Sequence, residues 1–457
     1  MRILIYSYNY HPEPIGIAPL MTELAEGLVK RGHQVRVVTA MPNYPERQIY
    51  EGYRGKWYLC EVKNGVQIQR SCVWIRPQPS LLDRILLDAS FIVTSFLPAL
   101  IGWRPDVILS TSPSLPSCIP TALLGWLHNC PVVLNLQDIL PEAAVHVGLL
   151  KNKLLIHLFT VLEKFAYRTA TKISVIADGF IDNLLSKKVA ASKIVSIPNW
   201  VDINFIRPLP KENNAFRAAH NLGGKFVVLY SGNIALTQGL ESVIRAAAVL
   251  RHISDIAFVI VGEAKGLQRL QVECQASGAD NVLLLPFQPR EQLPEMLAAA
   301  DIGLVVQKKN VVSFNMPSKI QVLLASGRAL VASVPDNGTA ARAIRQSGGG
   351  VVVPPEDPNA LAEGILNLYE HPEKVKMLGQ NSRQYATEHY AFEQALSQYE
   401  SLFYSVVSQP AVVESTVISN FQKNSEYALQ ARYANRIQKS EYNEVAMNPV
   451  KEKMSIL

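Results

Sequence analysis

Apolar positions along the chain recur with two periods, and the switch between them marks out the elements. Arg2–Ser7 is a short apolar run that reads as a strand. A loop, Tyr8–Pro19, containing Gly16 follows it. Leu20, Leu24 and Leu28 then recur at helical spacing, and Gly32 stops the helix. Gln34–Thr39 (QVRVVT) predicts the next strand. A strand–loop–helix–strand unit of about 40 residues is the opening of a doubly wound α/β sheet. Further β-branched runs at Asp106–Ser110, Val132–Leu136 and Lys172–Ile176 continue it, with a helical stretch over Leu149–Thr169 between the last two.

From about Pro208 to Gly223 the chain turns polar and carries no strand pattern, which marks an interdomain boundary. A second series then begins. Strands are predicted at Phe226–Ser231, Ala257–Val261, Val282–Leu285, Ile302–Val306, Ala329–Ser333 and Gly350–Val353. Helices such as Leu240–Arg251 and Leu293–Ala300 lie between them. Strands alternating with helices imply parallel sheets with right-handed crossovers. The fold class is therefore α/β, with two facing Rossmann-like domains, 1–205 and 206–390. Phe392–Val407 predicts a last helix within 391–408. The remainder, 409–457, is rich in Asn, Gln, Ser and Glu, and is expected to be a disordered tail.

Composition narrows the class. A chain of 457 residues that is 48% hydrophobic and 18% charged excludes wholesale disorder. Five scattered cysteines, Cys60, Cys72, Cys118, Cys130 and Cys274, exclude a disulfide framework and lack the paired spacing of a zinc site. They read as buried thiols in a reducing compartment, and the expected location is cytoplasmic. The opening MRILIYSYNY lacks the basic region and cleavage site of a signal peptide. The net charge of +6 is unevenly placed: residues 1–205 hold 20 Lys and Arg against 15 Asp and Glu, whereas 206–409 hold 18 of each. Such asymmetry suits an anionic partner met by the first domain. Leu86–Trp103 is the one segment that resembles a membrane span, but Asp88 and Pro98 interrupt it. A helix partly buried in the domain, or one that inserts peripherally at the inner face of a membrane, fits better.

In facing α/β domains ligands bind at the carboxyl ends of the strands, so the loops there are the candidates. Gly16 leads into the first helix and would let backbone N–H groups approach a phosphate or sugar. The pattern is neither a G-x-G-x-x-G dinucleotide loop nor a P-loop. In the second series YSGNIALTQGLES places Gly232, Asn233 and Gln238 in a loop suited to a diphosphate. Gly262 ends a later strand. Pro317, Ser318 and Lys319 then lead into a helix, with Lys319 a cation at the mouth of the cleft. In the first domain Asp138 and Glu142 follow a strand and suit acid–base or hydroxyl-orienting roles, or else helix capping. His11 is a further loop candidate. No metal-binding cluster stands out.

Taken in order, these segments resemble the retaining GT-B glycosyltransferases of family 4. The carriers are LAEGLVKRGHQVRVVT, NLQDILPE, IPNWVD, YSGNIALTQGLES, VGEAKGLQRL, LPFQPREQLPEMLAAADIGLV and MPSKIQVLLASGRALVAS. The MPSK and YSGN variants look most like transferases that assemble bacterial surface polysaccharides. The resemblance implies a nucleotide-sugar donor in the second domain, a saccharide or lipid-linked acceptor at the first, and a last helix crossing back to the first domain. It also implies retention of configuration without a cofactor or metal, and no nucleic-acid partner. Asp138 and Lys319 are then the expected catalytic residues, with Asn199 shaping the hinge. Two departures stand out. Asn233 and Gln238 occupy the positions of the family's diphosphate-binding Arg and Lys. Phe314 and Val322 occupy those of its two glutamates. The competing readings are a nucleotide-sugar epimerase of the same architecture and a non-catalytic binding or assembly subunit.

Overall fold

The first half of the chain winds its strands into one eight-stranded sheet, in the order β3-β4-β2-β1-β5-β6-β7-β8. In chain order the elements are β1 (Arg2–Tyr6), α1 (Ile17–Lys30), β2 (Gln34–Ala40), β3 (Tyr58–Lys63), β4 (Val66–Ser71), α2 (Leu81–Leu100) and β5 (Val107–Thr111). There follow α3 (Cys118–His128), β6 (Val132–Leu136), α4 (Glu142–His146), α5 (Lys153–Thr169), β7 (Lys172–Val175), α6 (Asp178–Ser186) and β8 (Ile194–Ser196). The computed structural model describes residues 1–408, apart from Ile15, Pro113, Val147, Leu149 and Leu236. The expected disordered tail lies outside the described residues.

The second half carries α7 (Ala215–Ala219), β9 (Phe226–Ser231), α8 (Glu241–Leu250), β10 (Ile256–Gly262), α9 (Ala264–Ser277), β11 (Val282–Pro286), α10 (Leu293–Ala298) and β12 (Ile302–Val306). After these come α11 (Lys319–Ala325), β13 (Ala329–Ser333), α12 (Thr339–Ser347), β14 (Gly350–Val353), α13 (Pro358–Glu370), α14 (Pro372–His389) and α15 (Phe392–Val407). Its six strands form an all-parallel sheet in the order β11-β10-β9-β12-β13-β14.

Pleating sends alternate residues of each strand to opposite faces. Ile3 and Ile5 meet α1 on one side, while Leu4 and Tyr6 meet Phe91 of α2 and Leu124 of α3 on the other. Each fully buried aliphatic side chain contributes about 1.5–3 kcal/mol. A strand order that reverses beside β1 and again beside β9 leaves a crevice at the carboxyl edge of each sheet.

Three expectations change. The first sheet is not wholly parallel, because β3 pairs antiparallel with β4 in a hairpin at its edge. The helix expected from Leu149 starts at Lys153, where the Asn152 side chain accepts hydrogen bonds from the Leu154 and Leu155 amides. The polar stretch before β9 also folds: Asn214 caps α7, and Phe216 and Leu222 are buried in the second core.

After α14 the chain crosses back. Leu396, Tyr399 and Phe403 of α15 pack into the first half's core beside Leu24 and Trp200. Gly27 of α1 makes this contact possible, since a Cβ there would lie 2.7 Å from Phe392 Cζ. Arg31 pairs with Glu400 at 2.7 Å and with Glu393 at 2.9 Å across the same junction.

Candidate active site

β9 ends at Ser231, and Gly232 follows with φ at +141°, a conformation that suits glycine. Lys319, the first residue of α11, reaches back over this turn. Its Nζ stands 3.5 Å from the centroid of the Tyr230 ring, and a Cβ on Gly232 would lie 3.1 Å from it. Among the described residues this buried ammonium has no hydrogen-bond partner. Burial pulls its pKa down to about 7. The ring face offers the cation some attraction, worth about 2 kcal/mol where water is excluded. That is a small return for a buried charge, and an anion entering beside Gly232 would supply the missing partner.

The turn itself is held from behind. Tyr230 Oη donates to the Asn233 carbonyl at 2.7 Å. Glu263 accepts from the Ile234 amide at 2.8 Å, and Arg269 donates to the Ile234 carbonyl at 3.1 Å. Gly262 admits Ile234, whose Cδ1 would lie 2.5 Å from a Cβ there, so its contact is with the loop's back. Asn233 is exposed. Among the described residues the buried Gln238 Oε1 has no partner. Pro317 precedes Ser318, which occupies the cap position of α11 without a side-chain capping bond. Gly232, Asn233, Ser318 and Lys319 are thus gathered at the carboxyl ends of β9 and β12, with Gly262 behind them.

Across the crevice, Asp138 follows β6. Its amide meets Ser112 Oγ at 3.4 Å. The side chain is reached by solvent, yet the surrounding walls desolvate it and push its carboxyl up to about 6. It does not cap α4, which begins four residues later. Gln137 and Asn199 exchange amide hydrogen bonds at 2.7 and 3.0 Å, which ties this loop to the segment leading out of the first half. Glu142 is engaged elsewhere, accepting from Asn183 at 2.7 Å and pairing with Lys187 at 3.0 Å. Gly16 caps α1 with φ at +73° and open space where a Cβ would sit. His11 contacts Lys63, and its carbonyl accepts from Arg70 at 2.5 Å. Burial, then Lys63 and Arg70, hold its ring below the usual imidazole range.

Two carboxylates were not singled out from the sequence as site residues. Asp88 of α2 accepts from Ser114 at 2.9 Å, and burial raises it to about 6. Ser112 and Ser114 share one loop, so that loop joins Asp88 to Asp138. The signal was present, since Asp88 is the charge that breaks the apolar run Leu86–Trp103. Glu13 is buried and accepts from the Asn9 side chain and the Asn43 and Tyr44 amides, bracing the first loop. Phe314 leaves the donor side altogether. Its ring meets Phe180 at 5.9 Å and is buried in the first half's core, with Gly179 beneath it. Arg342–Asp182 at 3.0 Å flanks this contact. Val322 packs against the second core. Among the described residues no group of three or more His, Cys, Asp or Glu could hold a metal ion, and no helix is long and apolar enough to cross a membrane.

Comparison with known proteins bears on the fold and the family. A structure of Anabaena Alr3699/HepE in complex with UDP matches with a TM-score of 0.66 at 17% identity, covering 89% of this chain and 100% of that one. The shared fold is GT-B: two facing Rossmann-like domains with a helix crossing back. Residues 16–200 match the glycosyl transferase 4-like domain, and residues 212–385 match glycosyl transferases group 1. The "Putative colanic acid biosynthesis glycosyl transferase WcaI" of Escherichia coli K12 is 34% identical over 373 residues, 80% of this chain and 91% of the relative. The "Probable glycosyltransferase WbjE" of Pseudomonas aeruginosa is 27% identical over 58% of this chain and 67% of its own length. The chain belongs to the group 1 glycosyltransferases.

Proposed function

We propose that this glycosyltransferase moves a sugar from a nucleotide-sugar donor to a saccharide or lipid-linked acceptor in surface polysaccharide synthesis. The observation that carries the reading is the buried Lys319 ammonium against Gly232, without a hydrogen-bond partner among the described residues. A donor diphosphate laid over the turn would bring its charge to Lys319, which then stabilises the negative charge that develops as the nucleotide departs. In this role Lys319 replaces the cations missing at Asn233 and Gln238, and no metal is required. The HepE structure, solved in complex with UDP, supports a nucleotide-linked donor for this fold. The relation to WcaI supports the polysaccharide assignment.

Asp138, ionised above pH 6, accepts a hydrogen bond from the acceptor hydroxyl and orients it. The bond from the anomeric carbon to the diphosphate oxygen breaks as the acceptor oxygen bonds to that carbon on the same face. Bond formation on that same face retains configuration, and as the new bond forms the hydroxyl proton leaves its hydrogen bond to Asp138 and passes to the departing diphosphate. The two halves meet at Phe314, whose ring packs on Phe180.

The first half also meets a membrane surface. α3 packs between α2 and α5, and all three turn large apolar residues outward. Val93 and Leu97 of α2, Leu123 and Trp126 of α3, and Leu154, Leu158 and Val161 of α5 recur at helical spacing, with Leu154 75% exposed. Apolar faces of this extent suit interfacial insertion, and the first half's surplus of basic residues favours anionic lipid. These features support a location at the inner face of the plasma membrane. Incubating the full chain with nucleotide sugars and a membrane extract should yield labelled sugar in the lipid-extractable fraction. Donor hydrolysis alone, or binding with no transfer, would count against the reading.

A further inference from the structure

A groove of about 440 Å³ opens in the first half, away from the donor loop. Met41 at the end of β2, Ile49, Tyr53 and Trp57 from the following segment, and Val73 and Trp74 after β4 form its wall, with Ser90 and Thr94 of α2 closing the far side. β2 and β4 run parallel, and β6 belongs to the same parallel array, so the groove lies at the sheet edge that also carries Asp138. Its volume falls within the roughly 300–1,000 Å³ of ordinary ligand sites.

The wall's polar atoms are already engaged. Thr94 Oγ1 donates to the Cys72 carbonyl at 2.7 Å. Ser90 Oγ accepts from the Trp74 amide and donates to the Leu87 carbonyl, both at 2.8 Å. Trp74 Nε1 donates to Asp83 at 3.2 Å, and Lys56 Nζ to the Gly52 carbonyl at 2.9 Å. A saccharide laid here would lose water and gain few hydrogen bonds, whereas a hydrocarbon chain would gain apolar contact. Trp57 is 81% exposed and Trp74 45%, a large unburied aromatic area. Two cations and one carboxylate sit at the mouth: Lys56 lines it, and the Arg76 guanidinium lies over the Trp74 ring at 5.3 Å with its Nε 3.5 Å from Asp83, its outer N–H groups left for an anion. The groove is continuous with the outward face of α2, since Val93 and Leu97 neighbour Thr94 on that helix.

We propose that this groove receives the apolar chain of a lipid-linked phosphate acceptor, with the phosphate held at Lys56 and Arg76 and the sugar directed toward Asp138. The proposal rests on the transferase reading above and names its acceptor class. A water-soluble probe, farnesyl diphosphate, tests it by isothermal titration against the full chain, with inorganic diphosphate and farnesol as controls. Farnesyl diphosphate should bind at least tenfold more tightly than inorganic diphosphate. Ile49→Asp, which places a carboxylate on the wall, and Trp57→Ala should each weaken it at least fivefold, while Ile49→Leu should not. Binding no tighter than inorganic diphosphate, or indifferent to both Ile49→Asp and Trp57→Ala, overturns the proposal. If Ile49→Asp does not fold, the exposed Trp57→Ala decides. Titrating nucleotide sugars into the same samples separates the two ideas. Donor binding without chain-dependent acceptor binding removes the groove proposal alone, whereas loss of donor binding removes the transferase site reading.

Discussion

Replacing Lys319 with Met should make the empty protein more stable and the donor site useless. An exposed lysine titrates near 10.5, and burial brings this one to about 7. At roughly 1.4 kcal/mol per pH unit, holding the charge inside costs the empty protein on the order of 5 kcal/mol at acid pH, as an upper bound. Between pH 7 and 10.5 the unfolded chain binds a proton here that the folded chain has released. Stability of the empty protein therefore rises with pH across that window. Lys319→Met removes that dependence and should raise the Tm at pH 6 by roughly 3 °C or more. Donor affinity moves the other way. Only the charged form pairs with a diphosphate, and its share falls from about nine-tenths at pH 6 to about one-tenth at pH 8, so affinity should weaken about tenfold over that range. A nucleotide sugar is the right ligand, because its diphosphate is doubly esterified and loses no proton in this interval. Calorimetric titration of the best binder from a panel of UDP-, GDP- and ADP-sugars provides the assay. Affinity that is flat from pH 6 to 8, or unchanged in Lys319→Met, would refute the reasoning.

The Asp138 carboxyl, raised to about 6, must be ionised to orient the acceptor, so turnover should fall about tenfold between pH 7 and pH 5. Asp138→Asn should lose that acid limb and roughly 10²-fold or more of kcat, with donor affinity intact by titration. Gly179→Ala puts a Cβ within 2.8 Å of Phe314 Cα and against Thr339 Oγ1, which forces the halves apart. A loss of about 1–3 kcal/mol by thermal or denaturant unfolding is expected, with reduced turnover. Leu97→Asp with Leu158→Asp should abolish sedimentation with anionic vesicles, and wild-type binding should weaken as salt rises. Retained binding in the double variant would place the membrane contact elsewhere.

The second sheet was highly legible because its buried parallel strands are near-continuous apolar runs; β9, β12, β13 and β14 lie where their β-branched residues predict. The β3–β4 hairpin escaped notice for the opposite reason. Tyr58–Lys63 is a largely exposed edge strand with Glu61 and Lys63, and in β4 the alternation of Val66 and Ile68 with Gln67 and Gln69 stops at Arg70, too short a pattern to stand out. Lys319 could be singled out by its place after Pro317 and Ser318. Its partner Tyr230 could not, since that contact joins residues far apart in the chain. Phe314 was visible only as a missing glutamate. The structure gives the position a different task, a ring buried in the opposite half, which periodicity along one chain segment does not encode.

The central claim is that Lys319 receives the donor diphosphate. A crystal structure of the full chain with a bound nucleoside diphosphate tests it most directly. The account predicts phosphate oxygens within hydrogen-bond reach of Lys319 Nζ, beside Gly232. A nucleotide seated elsewhere, with the ammonium still unpartnered over the Tyr230 ring, would contradict it.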